Sequence, residues 1–346
     1  MKNEILSALK YSANDFISGE LLSEKFGVSR AAIWKTIKQL RQDGYYIESK
    51  SNVGYKLCSS PDKLYEQEVM PLIPLNSENQ PGIVQKYIHL DAVDSTNNYA
   101  KQLTKYAFSN GTIVVAETQT GGKGRLGKTW TSPYGKSLYL SFLLTPSIQF
   151  ENAVMLTLLA ACSTVRAIES VCPEISAMIK WPNDIVVNGK KVCGILAEMS
   201  GEVEQLSHVI IGIGINVNWE QQDFPDELHD SATSLSLAAE KMIDRKALTA
   251  SLIHHFSMDY QSYLSAFSFD TSFDHKEHSS FDLLDFYRLH CVNLGKKLTI
   301  HKNGAVINAE GIDISPKGHL VIQTEDGHIE NVLSGEVSVR GVNGYI

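Results

Sequence analysis

Four glycines, two lysines, an arginine and a tryptophan fall within ten residues, GGKGRLGKTW, from Gly121 to Trp130. Glycine lets backbone N–H groups come close to a ligand, and cationic side chains between glycines supply charge for phosphate or carboxylate. The spacing is neither the GxxxxGK[ST] of a P-loop nor a GxGxxG opening a helix in a βαβ unit. Taken alone it equally describes an exposed loop between strands. Trp130 adds an aromatic platform against which a base could stack.

Two further stretches could serve the same chemistry. In KWPNDIVVNGKKVCGI, Lys180 closes the apolar run AMIK, which puts its amine at a strand end in a partly enclosed place. Asn183 and Asp184 follow as a polar pair able to hydrogen-bond a sugar, assist a metal or simply shape a turn. GIGIN, Gly212 to Asn216, reads as a strand relieved by glycine and ending in an amide; alone it would be a packing strand.

The elements that must position these residues divide along the chain. The 346 residues exceed one ordinary domain and suggest two or three. A formal charge of −8 argues against coating nucleic acid or an anionic membrane with the whole surface, so any polyanion contact must be local. The five cysteines are scattered and form no CxxC pair, which suggests reduced thiols and neither a disulfide framework nor a zinc site. The N-terminal residues lack the pattern of a secretory signal, and apolar runs such as VMLTLLAACSTV are shorter than a membrane span. A cytoplasmic protein is expected. Eleven histidines include His254, His255, His275, His278 and His290, but no spacing among them supplies a metal-ligand pattern, and none is assigned to a metal.

Residues 1–60 are expected to form a winged helix-turn-helix. Apolar stripes at Ile5, Leu6 and Leu9, at Leu21, Leu22 and Phe26, and at Ala32, Ile33, Ile37 and Leu40 predict three helices. Ser18 and Ser29 stand at N-cap positions, Gly27 ends the second helix, and YYIESKSNVGYKL reads as the wing. Residues 1–57 hold nine lysines and arginines against six acids, a local positive excess on an acidic chain. Ser29, Arg30, Trp34, Lys35 and Lys38, followed by Arg41, are the candidate DNA contacts. A three-helix protein-interaction domain is the alternative.

Proline, serine and asparagine concentrate at 61–82, expected as a linker. Residues 83–290 alternate β-rich runs, at 112–116, 137–144, 185–187, 192–198 and 209–217, with helical patterns at 97–107, 152–171 and 246–267. They predict an α+β domain on a largely antiparallel sheet, with Asn188-Gly189 as a type I′ hairpin turn. Residues 291–346 read as short strands of a small β-barrel.

The motifs DSTN from Asp94, ETQTGGKGRLGKTW from Glu117, KWPND from Lys180, KVCGIL from Lys191, GIGIN from Gly212 and SGEVSVR from Ser334, with SRAAIWKTI from Ser29, closely resemble those of the biotin protein ligases. The whole chain is similar to their bifunctional bacterial members, which join a biotin operon repressor to the ligase. The resemblance implies a central ligase domain of the biotin/lipoate ligase type and a C-terminal SH3-like barrel. It also implies ATP with magnesium, biotin as substrate and corepressor, biotinoyl-5′-adenylate as intermediate, and transfer to a lysine of a carboxylase's biotin carboxyl carrier protein. Ser95, Thr96, Asn97 and Gln119 would surround the biotin ureido ring, with Gly194 nearby. Lys123, Gly124 and Arg125 would close over carboxylate and phosphates, and Lys180 would stabilise charge at the reacting centre. Arg125 and Lys180 are thus the catalytic candidates. Trp130 would meet adenine, and Lys128, Asn183, Asn216 and Arg340 would complete the nucleotide site, Asn183 and Asn216 near the phosphates and magnesium and Arg340 paired with Glu336. Lys123 stands where arginine is common in the family, and Leu126 where a further basic residue can occur. An adenylate-linked homodimer on a two-fold operator is implied as well. The alternatives are a lipoate-type ligase and a ligand-sensing repressor without catalysis.

Overall fold

The computed structural model describes residues 1–12, 15–74, 83–106, 110–202, 205–265, 280–302, 305–334, 337–341 and 345. They fall into two compact units, Met1–Lys63 and Leu64–Ile346.

The first unit contains helices α1 (Lys2–Tyr11), α2 (Gly19–Phe26) and α3 (Arg30–Gln42), then the hairpin β1 (Tyr46–Lys50) and β2 (Gly54–Ser59). Both predicted caps form: Ser18 accepts from the Leu21 amide and Ser29 from that of Ala32. Gly27 closes α2 in the left-handed region at φ 63°. Ile5, Leu6, Leu9, Leu22, Ile33, Ile37 and Leu40 are buried, so the three stripes meet in one small core. Arg41, expected among the DNA contacts, is exposed and also hydrogen-bonds the wing. Its guanidinium donates to the Ile47 carbonyl, at 2.6 Å from Nη2, and to Ser49 Oγ, because the last turn of α3 brings it beside β1.

The second unit begins with helix α4 (Glu66–Val69) and strand β3 (Lys86–Leu90), followed by α5 (Thr96–Leu103), β4 (Thr112–Ala116) and β5 (Ser137–Leu144). The long helix α6 (Val154–Val171) precedes β6 (Met178–Lys180), β7 (Asp184–Val187), β8 (Lys190–Glu202) and β9 (Gln205–Asn216). Helices α7 (Leu235–Ala239), α8 (Arg245–Ser265) and α9 (Ser280–His290) come next. The seven-stranded sheet has the order β3-β4-β5-β9-β8-β7-β6, antiparallel throughout except where β3 runs parallel to β4. Asn188 and Gly189, at φ 51° and 77°, make the β7–β8 turn in the form their types favour. Strands β10 (Lys297–Lys302), β11 (Ala305–Ile314), β12 (Leu320–Thr324), β13 (Ile329–Val332) and β14 (Val337–Gly341) form the C-terminal antiparallel sheet, in the order β13-β12-β11-β10-β14.

Alternation gives the central sheet two faces. Leu138, Leu140, Phe142 and Leu144 of β5 and Ile211, Ile213 and Ile215 of β9 enter the main core, which α6 and α8 cover. The intervening Ser141, Gly212, Gly214 and Asn216 belong to the opposite face. Helix α6 continues a short helical turn, so that Phe150–Val171 is long and apolar enough to cross a membrane; its most apolar stretch is mostly buried in the core, as in a central packing helix. The C-terminal sheet shares this core through Leu298, Ile300, Leu320 and Ile322.

The segment expected as linker needs correction at its start. Leu64 and Val69 are fully buried in the second unit, and the Leu64 amide donates to a Glu117 carboxylate oxygen at 2.8 Å. The breaker residues lie mostly outside this apolar stretch, and residues 75–82 lie outside the described ones.

Glu117 and Arg245 form an ion pair with no exposed side-chain surface, Nη1 to Oε2 at 2.9 Å. Arg245 also donates to the Ser137 carbonyl, and His89 Nε2 lies 3.0 Å from the other Glu117 oxygen. Burial pushes the Glu117 carboxyl up, but the His89 hydrogen bond, the Arg245 charge and the Leu64 amide together hold it below its ordinary value. Arg245→Met leaves that carboxylate unpaired in the core. The expected loss is about 3 to 5 kcal/mol, seen as a lowered urea midpoint.

Candidate active site

The loop from Gly121 to Trp130 is a short ordered hairpin. Trp130 N–H donates to the Gly122 carbonyl and Gly124 N–H to that of Lys128, at 2.9 and 2.7 Å, with Lys123 and Thr129 bridged between. The turn passes through Leu126 and Gly127, both left-handed at φ 56° and 73°. Leucine there costs about 1 to 2 kcal/mol against glycine.

The loop covers one end of a cavity of about 870 Å³, large for a ligand site. The floor is the second face of β8 and β9. Gly194 lies opposite Gly214 in register, and the Trp130 indole rests on both: an added Cβ would stand 3.0 Å from the ring at Gly194 and 2.8 Å from Nε1 at Gly214. Gly212 is as tightly constrained, since a Cβ there would fall 2.2 Å from Asn97 Oδ1. Glycine recurs on this face because the ring and the amide occupy the space that side chains would fill.

One end wall is polar and neutral. Thr96 N–H and Oγ1 both donate to Gln119 Oε1, at 2.8 and 3.2 Å, and Gln119 Nε2 donates to Ser132 Oγ. Asn97 Nδ2 donates to Glu198 and to the Leu196 carbonyl, while its Oδ1 accepts from Ser141 at 2.6 Å. The Asn97 amide is thereby committed to β5 and β8. Ser95 precedes α5 without capping it through its side chain, which leaves its hydroxyl to the cavity.

The other end is cationic. Lys180 is buried, with 5% of its surface exposed, and the ring of Tyr345 lies over its ammonium, 3.3 Å from Nζ to the centroid. Asp184 is paired with Lys191 at 2.6 Å and accepts the Tyr345 hydroxyl. Arg125 reaches down from the loop to Asn183 Oδ1 at 2.9 Å and to the carbonyls of Ser334 and Val337, tying the loop to β14. Lys128 and Arg340 also line this end, both exposed. Burial lowers the Lys180 pKa to about 8, and the charges of Lys191, Arg340 and Lys128 oppose the counter-effect of Asp184. A cluster of cations around the buried Lys180, with one neighbouring carboxylate, on an acidic chain, suits polyanions.

Every described residue singled out in the sequence for small-molecule binding lines this one cavity: Ser95, Thr96, Asn97, Gln119, Lys123, Gly124, Arg125, Lys128, Trp130, Lys180, Asn183, Gly194, Asn216 and Arg340. Glu336 lies outside the described residues. Sequence reasoning missed Tyr345 and the Lys191–Asp184 pair. A lone aromatic far from every motif carries no signal, whereas the opposite charges beside the Asn188-Gly189 turn could have been paired by hairpin register. In the first unit, Trp34 is 57% exposed with the Lys38 ammonium above its ring, Lys35 is exposed, and Arg30 pairs with Glu20 on the surface. Ser29 spends its hydroxyl on capping α3.

Residues 90–216 match the biotin/lipoate A/B protein ligase family, 2–56 an HTH domain and 294–340 the biotin protein ligase C-terminal domain. The bifunctional ligase/repressor BirA of Bacillus subtilis is 35% identical over 339 residues, 98% of each chain. The chain belongs to the bifunctional biotin protein ligase and repressor family. The Escherichia coli BirA is 28% identical over 94% of each chain. Among solved structures, the Aquifex aeolicus biotin protein ligase in complex with biotin and ATP matches at a TM-score of 0.61 and 35% identity, covering 74% of this chain and 99% of that one. This ligase therefore carries the family's three parts in order, and the lipoate-only and sensor-only alternatives fall away.

The cationic form of Lys180 is the one that attracts anions, and it is lost as pH rises through about 8. Pyrophosphate release by the free ligase, followed as kcat/KM, should fall above that pH. Lys180→Arg should abolish the fall within the alkaline range, because guanidinium stays charged.

Proposed function

We propose that this ligase binds biotin with its ureido ring at the Ser95–Gln119 end and its carboxylate at Lys180, and ATP with its phosphates along the cationic end. The single observation that carries this reading is one cavity joining a neutral hydrogen-bonding wall to a cationic cluster around the buried Lys180. A cyclic urea both donates and accepts, which suits Ser95, Thr96 and Gln119. Asn97 acts there as a positioning residue, since its amide is already engaged.

In the first step a biotin carboxylate oxygen attacks the α-phosphorus of ATP, the new P–O bond forms, and pyrophosphate leaves with the electrons of the broken bond. Lys180 and Arg125 offset charge at carboxylate and phosphorus. In the second step an acceptor lysine amine attacks the acyl carbon, AMP departs, and a proton is released. The loop over the cavity keeps water from the mixed anhydride. Magnesium would enter as a companion of the triphosphate. Asn216, whose Nδ2 is spent on the Thr233 carbonyl, keeps Oδ1 as a neutral oxygen donor in the cavity. When bound, the ion would neutralise phosphate charge.

The acceptor is a biotin carboxyl carrier protein, and the exposed Arg30, Trp34, Lys35 and Lys38 meet operator DNA. Occupancy of the site by the adenylate would favour a homodimer whose two-fold symmetry matches a two-fold operator, which couples the sites. A cytoplasmic location accords with both partners.

Labelled biotin supplied with ATP, magnesium and a carrier domain should be transferred, with lipoate left unused; equal use of lipoate would sink the ureido assignment. Lys180→Ala should lower adenylation about 10²- to 10³-fold. Removal of residues 1–63 should spare ligation and abolish retention of operator DNA in a gel-shift assay, and a shift that persists would refute the assignment of α3.

A further inference from the structure

Lys180 and Asp184 are directly opposite each other in the β6–β7 hairpin. Side chains so placed start about 5 Å apart at Cβ, and a lysine facing an aspartate there ordinarily closes into an ion pair. This one does not. Among the described residues Lys180 makes no ion pair and no hydrogen bond, and its one partner is the face of the Tyr345 ring. Both Asp184 oxygens are engaged elsewhere, Oδ1 by the Lys191 ammonium and Oδ2 by the Tyr345 hydroxyl. Burial and the nearby Asp184 charge push the phenol pKa far up, so the hydroxyl stays a donor.

On the ligase reading above, we propose that Tyr345 is a positioning residue of the adenylation step, an aromatic spacer that keeps Lys180 from collapsing onto Asp184. The consequence is electrostatic. An ammonium neutralised by a buried carboxylate has little field left for the biotin carboxylate and the α-phosphate. An ammonium resting on a π face keeps its whole charge, because the ring supplies a quadrupole and no counter-ion. The incoming oxygens outcompete the ring, as an anion binds an ammonium more strongly than a π face does. Tyr345 also holds Asp184 toward Lys191, whose ammonium lies 5.2 Å from the Trp130 ring centroid, so one side chain orders both ends of the cationic wall.

The test is a double-mutant cycle in the full chain, read as pyrophosphate release with biotin and ATP. Tyr345→Phe keeps the ring and should stay within about threefold of wild type in kcat/KM, while Tyr345→Leu should lose at least about tenfold. In a D184N background, where no counter-charge remains to capture Lys180, Tyr345→Leu should cost less than about threefold. Equal loss in both backgrounds, or a gain in activity on Tyr345→Leu, would overturn the spacer role. A crystal structure of Tyr345→Leu is the second readout: Lys180 Nζ should lie within about 4 Å of an Asp184 oxygen. An amine still standing apart overturns the proposal even if D184N is inactive. A wild-type chain that releases no pyrophosphate counts against the ligase reading, whereas an active wild type with an unaffected leucine variant counts against the spacer alone.

Discussion

Arg245 and Glu117 are joined in the interior, and neither side chain reaches water. Two desolvated charges at that depth are tolerable only when each is fully hydrogen-bonded, and further partners come from separate parts of the second unit. The carboxylate takes the Leu64 amide and His89 of β3, and the guanidinium takes the Ser137 carbonyl at the start of β5. Glu117 directly follows β4 and opens the segment that becomes the glycine-rich loop, while Arg245 begins α8. The pair therefore fixes where three neighbouring strands begin or end and the direction in which the loop departs. Its stability yield is modest, since a buried ion pair often does no better than apolar residues of the same size. What it supplies is a single arrangement of the elements around the cavity mouth.

The cavity solves a conflict of charges. Two anionic substrates must meet on a chain whose net charge is −8. The solution is local: Arg125, Lys180 and Lys191 come from the loop, β6 and β8, and meet around Asp184, with Lys128 and Arg340 at the rim. Arg125 carries a mechanical duty besides its charge, because its contacts with Asn183 and β14 hold the loop against the C-terminal sheet. Independently of those contacts, the central and C-terminal sheets share one apolar core through Leu298, Ile300, Leu320 and Ile322. On the proposed placement, a nucleotide would lie against both sheets, which demands that the two not move freely.

Most of this arrangement was legible in the residues. Strands β4 and β5 run over the β-rich stretches 112–116 and 137–144 read from the sequence, and the Asn188-Gly189 turn has the positive φ angles its types favour. The cavity-lining residues were legible through short motifs, each of which keeps chemically distinct side chains a few residues apart. What stayed hidden was long-range. Arg245 and Glu117 are separated by more than a hundred residues, and nothing in RKALTASLIHH marks its arginine as buried. Tyr345 carries no local pattern at all. Leu64 and Val69 were hidden for a different reason: a few apolar residues among prolines and serines read as connection until a core is present to receive them.

The glycine floor beneath Trp130 bears on how such a pocket can change. At Gly194, Gly212 and Gly214 even a methyl group would meet an indole or an amide at under or about van der Waals distance. Three positions on one sheet face are thereby closed to substitution, and any variant of this scaffold that accepts a differently shaped acid must reshape its walls and leave its floor alone. Divergence in substrate choice is steered toward the walls, the segment after Asp94 and the strand end near Lys180, whose side chains line the cavity.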